Sequence, residues 1–204
     1  MLVVGFLSIY LGGRYFLRTF IAEYTSATRV ELPVSAISEE RWKGLQARVA
    51  AFNQAAESGK GEARLELAAE DINALIARDP RLAEFKGSLW VDLEKEKAKC
   101  RFSYLLERLG AKKILHGRYL NGEADLISNL VNGQIYLTLL DIKINGKSVP
   151  DTVKPGLQAH NLAEGFNNDP GSSPMIHRLS EVRIHEGKLF LTANGPKPKS
   201  PEVK

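Results

Sequence analysis

The 204-residue chain contains one cysteine, Cys100, and that scarcity closes several routes at once. A single thiol permits no internal disulfide and no multi-thiolate metal site. It suits an oxidising or a reducing compartment equally, so it is silent on location. Histidine is scarce too: His116, His160, His177 and His185 form no ligand-spaced pair. A zinc helix opening at His185-Glu186 needs a second histidine at position 189, which is Leu189. The G-x-S-x-G nucleophile elbow and the G-x-G-x-x-G dinucleotide fingerprint are both missing. Gly146-Lys147-Ser148 has the ending of a phosphate-binding loop, but Asp141 stands where that loop needs its first glycine. No charge of one sign dominates either, with 28 Lys and Arg against 24 Asp and Glu. Such a surplus, spread along the chain, fits an ordinary solvated surface. Lys112-Lys113 and the Lys-rich C-terminus lack the aromatic interleaving of a basic nucleic-acid stripe, so no nucleic-acid partner is expected. Catalytic, cofactor-binding and metal-ligating constellations are accordingly not expected, nor is a cofactor.

What is present begins at the N-terminus. Residues 1–13 (MLVVGFLSIYLGG) carry no charged side chain, and Arg14 and Arg18 follow. As a helix this stretch spans about 20 Å, short of the roughly 30 Å hydrocarbon core. Continuing to residue 22 gives roughly 33 Å, with the two arginines on one face and able to snorkel near an interface. Residues 1–22 therefore read as a transmembrane signal-anchor. A span beginning upstream of Met1, a cleaved signal peptide and an amphipathic surface helix are the alternatives. The lack of a charged region before the apolar stretch, and of a small-x-small site after it, argues against cleavage. By the positive-inside rule Arg14, Arg18 and Arg29 would hold the remainder of the chain in the cytoplasm.

Residues 23–37 lack helical periodicity and include Pro33, which predicts an extended tether. Ser38 is a helix cap followed by Glu39 and Glu40, the charge sign a helix N-terminus favours. Trp42, Leu45, Val49, Phe52 and Ala56 then form one apolar stripe ending at Gly59 and Gly61. A short strand over 63–67 leads to a second helix over 69–77, with Ile72, Leu75 and Ile76 inward and Asp79-Pro80 as its stop. Period-two alternation follows in Leu89, Val91, Leu93 and in Cys100, Phe102, Tyr104, Leu106, with a charged turn at 94–97 between them.

Three Asn-Gly pairs, at 121–122, 132–133 and 145–146, are the strongest short hairpin signal the chain offers. They predict three turns delimiting meander strands. After Gly133 the apolar parity switches from Ile135, Leu137, Leu139 to Leu140, Ile142, Ile144, which predicts a bulge near 139–141. A third helix is expected over 154–166, a turn of helix at Ser173-Pro174, and a closing hairpin around residues 185–188. Residues 195–204 (GPKPKSPEVK) read as a disordered tail. The domain plan is thus an anchor at 1–22, a tether at 23–37, an α+β domain at 38–194 and the tail.

Residues 67–76 (LAAEDINALI), placed after an N-terminal span and before a long strand series, resemble the YpmS-like family of membrane-anchored bacterial proteins. Members often show a strand ending in Leu-Thr and then x-x-Asp-Leu-Asn-Ala-Leu-Leu; here Ala68 replaces the hydroxyl residue. The family's biochemical role is unassigned, and it supplies no catalytic residues. What the resemblance implies is an anchored, extracytoplasmic α+β domain, single-pass in the membrane.

The expected fold is α+β: a curved antiparallel sheet with helices on one face behind a transmembrane helix. The expected function is a non-enzymatic binding or scaffolding domain at the cell envelope, with a lipid or an envelope protein as partner. Two alternatives stand beside it. One is an envelope hydrolase using the polar region 160–169, with His160, Asn161, Asn167, Asn168 and Asp169; the other is a structural subunit of a membrane complex. If the sheet and helices leave a groove, Leu89, Val91, Phe102, Tyr104, Ile135 and Leu137 are expected to line it, with Trp42 and Phe52 as its roof.

Overall fold

The computed structural model describes residues 21, 23–109, 115–152 and 154–194. The anchor and tail expectations, and Lys112-Lys113, lie outside the described residues. Among those described, no helix is long and apolar enough to cross a membrane.

The element order is α1 (Glu39–Ser58), β1 (Ala63–Ala68), α2 (Ala69–Arg78), a 3-10 helix (Pro80–Phe85), β2 (Leu89–Glu94) and β3 (Lys97–Leu105). There follow β4 (Tyr119–Val131), β5 (Gln134–Ile144), β6 (Lys147–Ser148), the short helices α3 (Lys154–Gln158), α4 (Glu164–Asn168) and α5 (Ser173–Ile176), then β7 (Leu179–His185) and β8 (Lys188–Ala193). The α+β class with antiparallel pairing holds, but the strands form two sheets and not one. Five strands run in the order β2-β3-β4-β5-β6, and three in the order β1-β8-β7. β4 lies against β7 where the two sheets meet.

Local chemistry explains the boundaries. Ser38 Oγ accepts the Arg41 N–H at 3.3 Å at the start of α1, and Gly59 closes the helix at φ 64°. Ala68 has no side-chain acceptor, so α2 starts with help from its own third residue: Asp71 accepts the Ala68 N–H at 3.1 Å. The expected bulge is present. Asp125 pairs with Asp141 and Leu126 with Leu139, leaving Leu140 as the extra residue. Asn132-Gly133 and Asn145-Gly146 are the predicted turns, each with both residues at positive φ.

Asn121-Gly122 is not a turn; it sits inside β4, paired with Ser103 and Phe102. Asn121 is buried there, and its amide accepts from Ser103 Oγ at 2.7 Å and donates to Thr28 O at 2.9 Å. Gly122 is required for closeness: a Cβ would strike the Lys143 carbonyl and lie 2.8 Å from Phe102 Cζ. The expected helix over 154–166 is also broken, into α3 and α4. Asn161 stands at the break and turns its amide to the backbone, accepting from Ala163 N at 2.9 Å and from Leu137 N at 3.2 Å.

Residues 25–30 are docked on the five-stranded sheet. Ser26 and Tyr119 exchange backbone hydrogen bonds at 2.9 and 2.7 Å, the Val30 N–H donates to Ser103 Oγ at 3.1 Å, and Arg118 holds Thr25 O at 2.8 Å.

The core falls into two clusters, each drawing side chains from both sheets. One cluster joins Leu45, Phe52 and Ala56 of α1 to Leu65 and Leu67 of β1 and to Leu179 and Val182 of β7. The other joins Ile76 of α2 to Val91, Cys100, Ala124, Leu126 and Leu139 of the larger sheet. Asn73, 2% exposed, links the two layers by bonding both backbone groups of Val91, accepting at 2.9 Å and donating at 2.6 Å.

Candidate functional site

The side chains named for a single groove do not line one, because they belong to different cores. Val91 is buried in the second cluster, with Leu89 and Phe102 packed on it, whereas Ile135 and the intended roof, Trp42 and Phe52, pack in the first. Two separate clefts stand out instead.

The first is apolar. Its volume is about 760 Å³, bounded by Val49 of α1, Leu75 of α2, Leu82 and Phe85 of the 3-10 helix, Leu162 just before α4 and Phe166 within it. Pro80 fixes the start of the 3-10 helix, and Asp79 caps it by accepting the Arg81 N–H at 2.9 Å. This turn swings Phe85 between two aromatic partners, stacked on Phe166 at 6.5 Å and tilted to Tyr104 at 6.3 Å. Leu162 and Phe166 remain 48% and 42% exposed, so the cleft opens on apolar side chains that protein does not cover.

Its rim is charged. Arg81 donates to Asp79 through Nη2 at 2.6 Å and Nε at 3.1 Å, and this bonding, with further help from the Arg81 N–H, holds the Asp79 carboxyl below its ordinary range. The Ser172 hydroxyl and N–H do the same for Asp169, at 2.6 and 2.9 Å, so it stays ionised at neutral pH. Glu84 accepts from Tyr104 Oη at 3.3 Å. With Arg81 as the only base among Asp79, Arg81, Glu84 and Asp169, the rim is net acidic.

The second cleft is polar and smaller, about 380 Å³. It gathers His160, Asn161, Glu164, Asn167 and Asn168, so most of the polar region 160–169 does converge. Asp169 does not join them; it faces the apolar cleft. Two of the converged side chains are committed to the fold. Asn167 accepts the Ile135 N–H at 2.9 Å and donates to Ile135 O at 2.8 Å, while Asn161 also donates to Ile135 O at 2.9 Å. Together they satisfy backbone groups on the part of the β5 edge that β6, paired only at Lys143 and Ile144, leaves uncovered. His160 is exposed at the mouth.

Comparison with protein families, curated proteins and solved structures finds no match in any of the three.

Burial pushes the Cys100 thiol up to about 12, aided by nearby Asp125 and Asp92, so it is a packed apolar group and not a thiolate. Among the described residues, no cluster of three His, Cys, Asp or Glu could hold a metal ion. The sequence did not reveal the apolar cleft, because Phe85 is distant in sequence from Leu162 and Phe166 and shares no period with them; a 3-10 turn and a broken helix bring the three together.

Proposed function

We propose that this chain is a membrane-anchored, non-enzymatic binding domain at the cell envelope, and that its apolar cleft takes the hydrocarbon part of an amphiphile. The observation that carries the reading is the cleft around Phe85, with Leu162 and Phe166 left 48% and 42% exposed at its mouth. Its volume, about 760 Å³, lies within the range of small-molecule sites, roughly 300 to 1,000 Å³. The uncharged stretch at residues 1–13 supports the membrane part of the proposal, as does the resemblance of residues 67–76 to an anchored envelope family. Docking of residues 25–30 on the sheet supports a domain held near the bilayer on a short lead. The hydrolase alternative draws less support, since Asn161 and Asn167 spend their amides on β5.

Titration of a chain starting at Glu23 with a fluorescent lysophosphatidylcholine, whose head group carries a cationic choline suited to the net acidic rim, tests the proposal. Saturable binding is expected, weakened about tenfold or more by Phe166→Asp, since a buried aromatic contact is worth roughly 1.5 to 3 kcal/mol. His160→Ala, which alters only the polar cleft, should bind as the unaltered chain does. Absence of saturable binding in the unaltered chain ends this reading.

A further inference from the structure

Among the described residues, side chains bond backbone groups on the outer sides of several edge strands, and β1 offers an edge that no strand covers. On the outer edge of β2, Asn73 bonds both backbone groups of Val91. β6 pairs with the end of β5, and before it Asn161 and Asn167 bond the backbone of Ile135, with the Leu162 N–H donating to Leu137 O at 3.3 Å. β7 has β4 beside it. The outer edge of β1 has no strand against it among the described residues.

Which backbone groups that edge presents follows from the ladder. Ala63, Leu65 and Leu67 are buried and pair with Ala193, Leu191 and Leu189. Ala68 gives its N–H to Asp71, and Glu66 O accepts from Arg48 Nη1 at 3.0 Å, so the even-numbered residues turn their backbone groups away from β8. Arg64 and Glu66 therefore present a repeating template two residues long. Beside it runs a trough of about 470 Å³, with Ala51, Phe52 and Ala55 of α1 on the helix side and residues 62–66 on the strand side. An unpaired edge calls for an extended backbone, because only another strand supplies alternating donors and acceptors.

The side chains say whose strand it is. We propose that β1 pairs antiparallel with β1 of a second copy of this chain, about a two-fold axis at Leu65, joining the two three-stranded sheets into one. Only one of the three nearest antiparallel registers is free of like-charge pairs. Centring on Arg64 or on Glu66 sets that residue against its own copy. Centring on Leu65 sets Arg64 against Glu66 of the other copy twice over, and Leu65 against Leu65 on the covered face. Opposite charges directly across an antiparallel pair stabilise it, and like charges do the reverse. Arg64 and Glu66 are already in chains of alternating charge, Arg64 with Glu62 and Glu66 with Lys188 at 2.5 Å, so the pairing extends each chain with the sign it needs. Arg48 does not bar the way: a carbonyl has two lone pairs, so Glu66 O can take a second donor.

The test is the mass of the full-length chain in detergent by sedimentation, corrected for bound detergent. The unaltered chain should be a dimer. Arg64→Glu alone and Glu66→Arg alone each create like-charge pairs and should raise the dimer dissociation constant tenfold or more. The double variant Arg64→Glu/Glu66→Arg restores opposite pairs and should dimerise again. Mixing the two single variants should give a heterodimer that neither forms alone. Circular dichroism of each variant separates lost pairing from lost folding, and the heterodimer itself requires folded partners. A monomer throughout overturns the proposal. So does a dimer indifferent to these charges, as does a monomer that binds an extended peptide along β1.

Discussion

Gly122 and Gly146 follow the same residue type, asparagine, and are needed for opposite reasons. Gly146 sits at φ 76° in a hairpin, so its role is conformational. Gly122 lies inside β4 with Lys143 O, Phe102 and Ile144 pressed against the place a Cβ would take. Asparagine tolerates the left-handed region but still has a Cβ. Gly146→Asn should therefore be nearly neutral, whereas Gly122→Asn should cost about 1 to 3 kcal/mol or more by overpacking. Urea unfolding of the two variants distinguishes them. At the same scale, Asp79 gives a signed pH dependence. Its folded pKa lies below the ordinary value of about 3.9. The stabilisation it contributes is thus fully present above about pH 4 and fades as pH falls through the lower folded value. Asp79→Asn should lower stability at neutral pH, with the gap to the unaltered protein narrowing below about pH 4. A gap that stays constant down to acid pH would mean that the Asp79 charge contributes nothing.

At the scale of elements, the β5 edge carries the clearest prediction. Asn167→Ala would leave the Ile135 N–H without its present partner, so it should cost about 1 to 3 kcal/mol. His160→Ala, on an exposed side chain, should stay within about 0.5 kcal/mol. Thermal unfolding of both variants checks this division between scaffold and surface. The contrast also marks what could be read from sequence. α1 was legible because Ser38, the stripe from Trp42 to Ala56 and Gly59 all say the same thing. The bulge at Leu140 was legible because a parity switch leaves no other geometry. The break between α3 and α4 was not, since Leu157, Leu162, Ala163 and Phe166 keep helical spacing while Asn161 bonds to a strand distant in sequence. Asn121-Gly122 misled for a similar reason: its local propensity favours a turn, and burial against Ser103 and Phe102 overrides it.

At the scale of the whole molecule, splitting one expected sheet into two changes where function can sit. Val91 and Ile135 share the five-stranded sheet, yet Ile135 packs with α1, β1 and β7 while Val91 packs in the other cluster, and open space is left between α1, the 3-10 helix and α4. Strand periodicity marks each strand but carries no information on which sheet it joins, so the site was the least legible part of the chain. The proposed function stands or falls on whether this cleft takes hydrocarbon. The most direct measurement is native mass spectrometry of the chain starting at Glu23, purified from a cellular source without detergent. The account predicts an adduct of amphiphile mass that organic solvent extracts and that Phe166→Asp abolishes while the protein stays folded. An unliganded protein that takes up no fatty acid or phospholipid when either is supplied would contradict it.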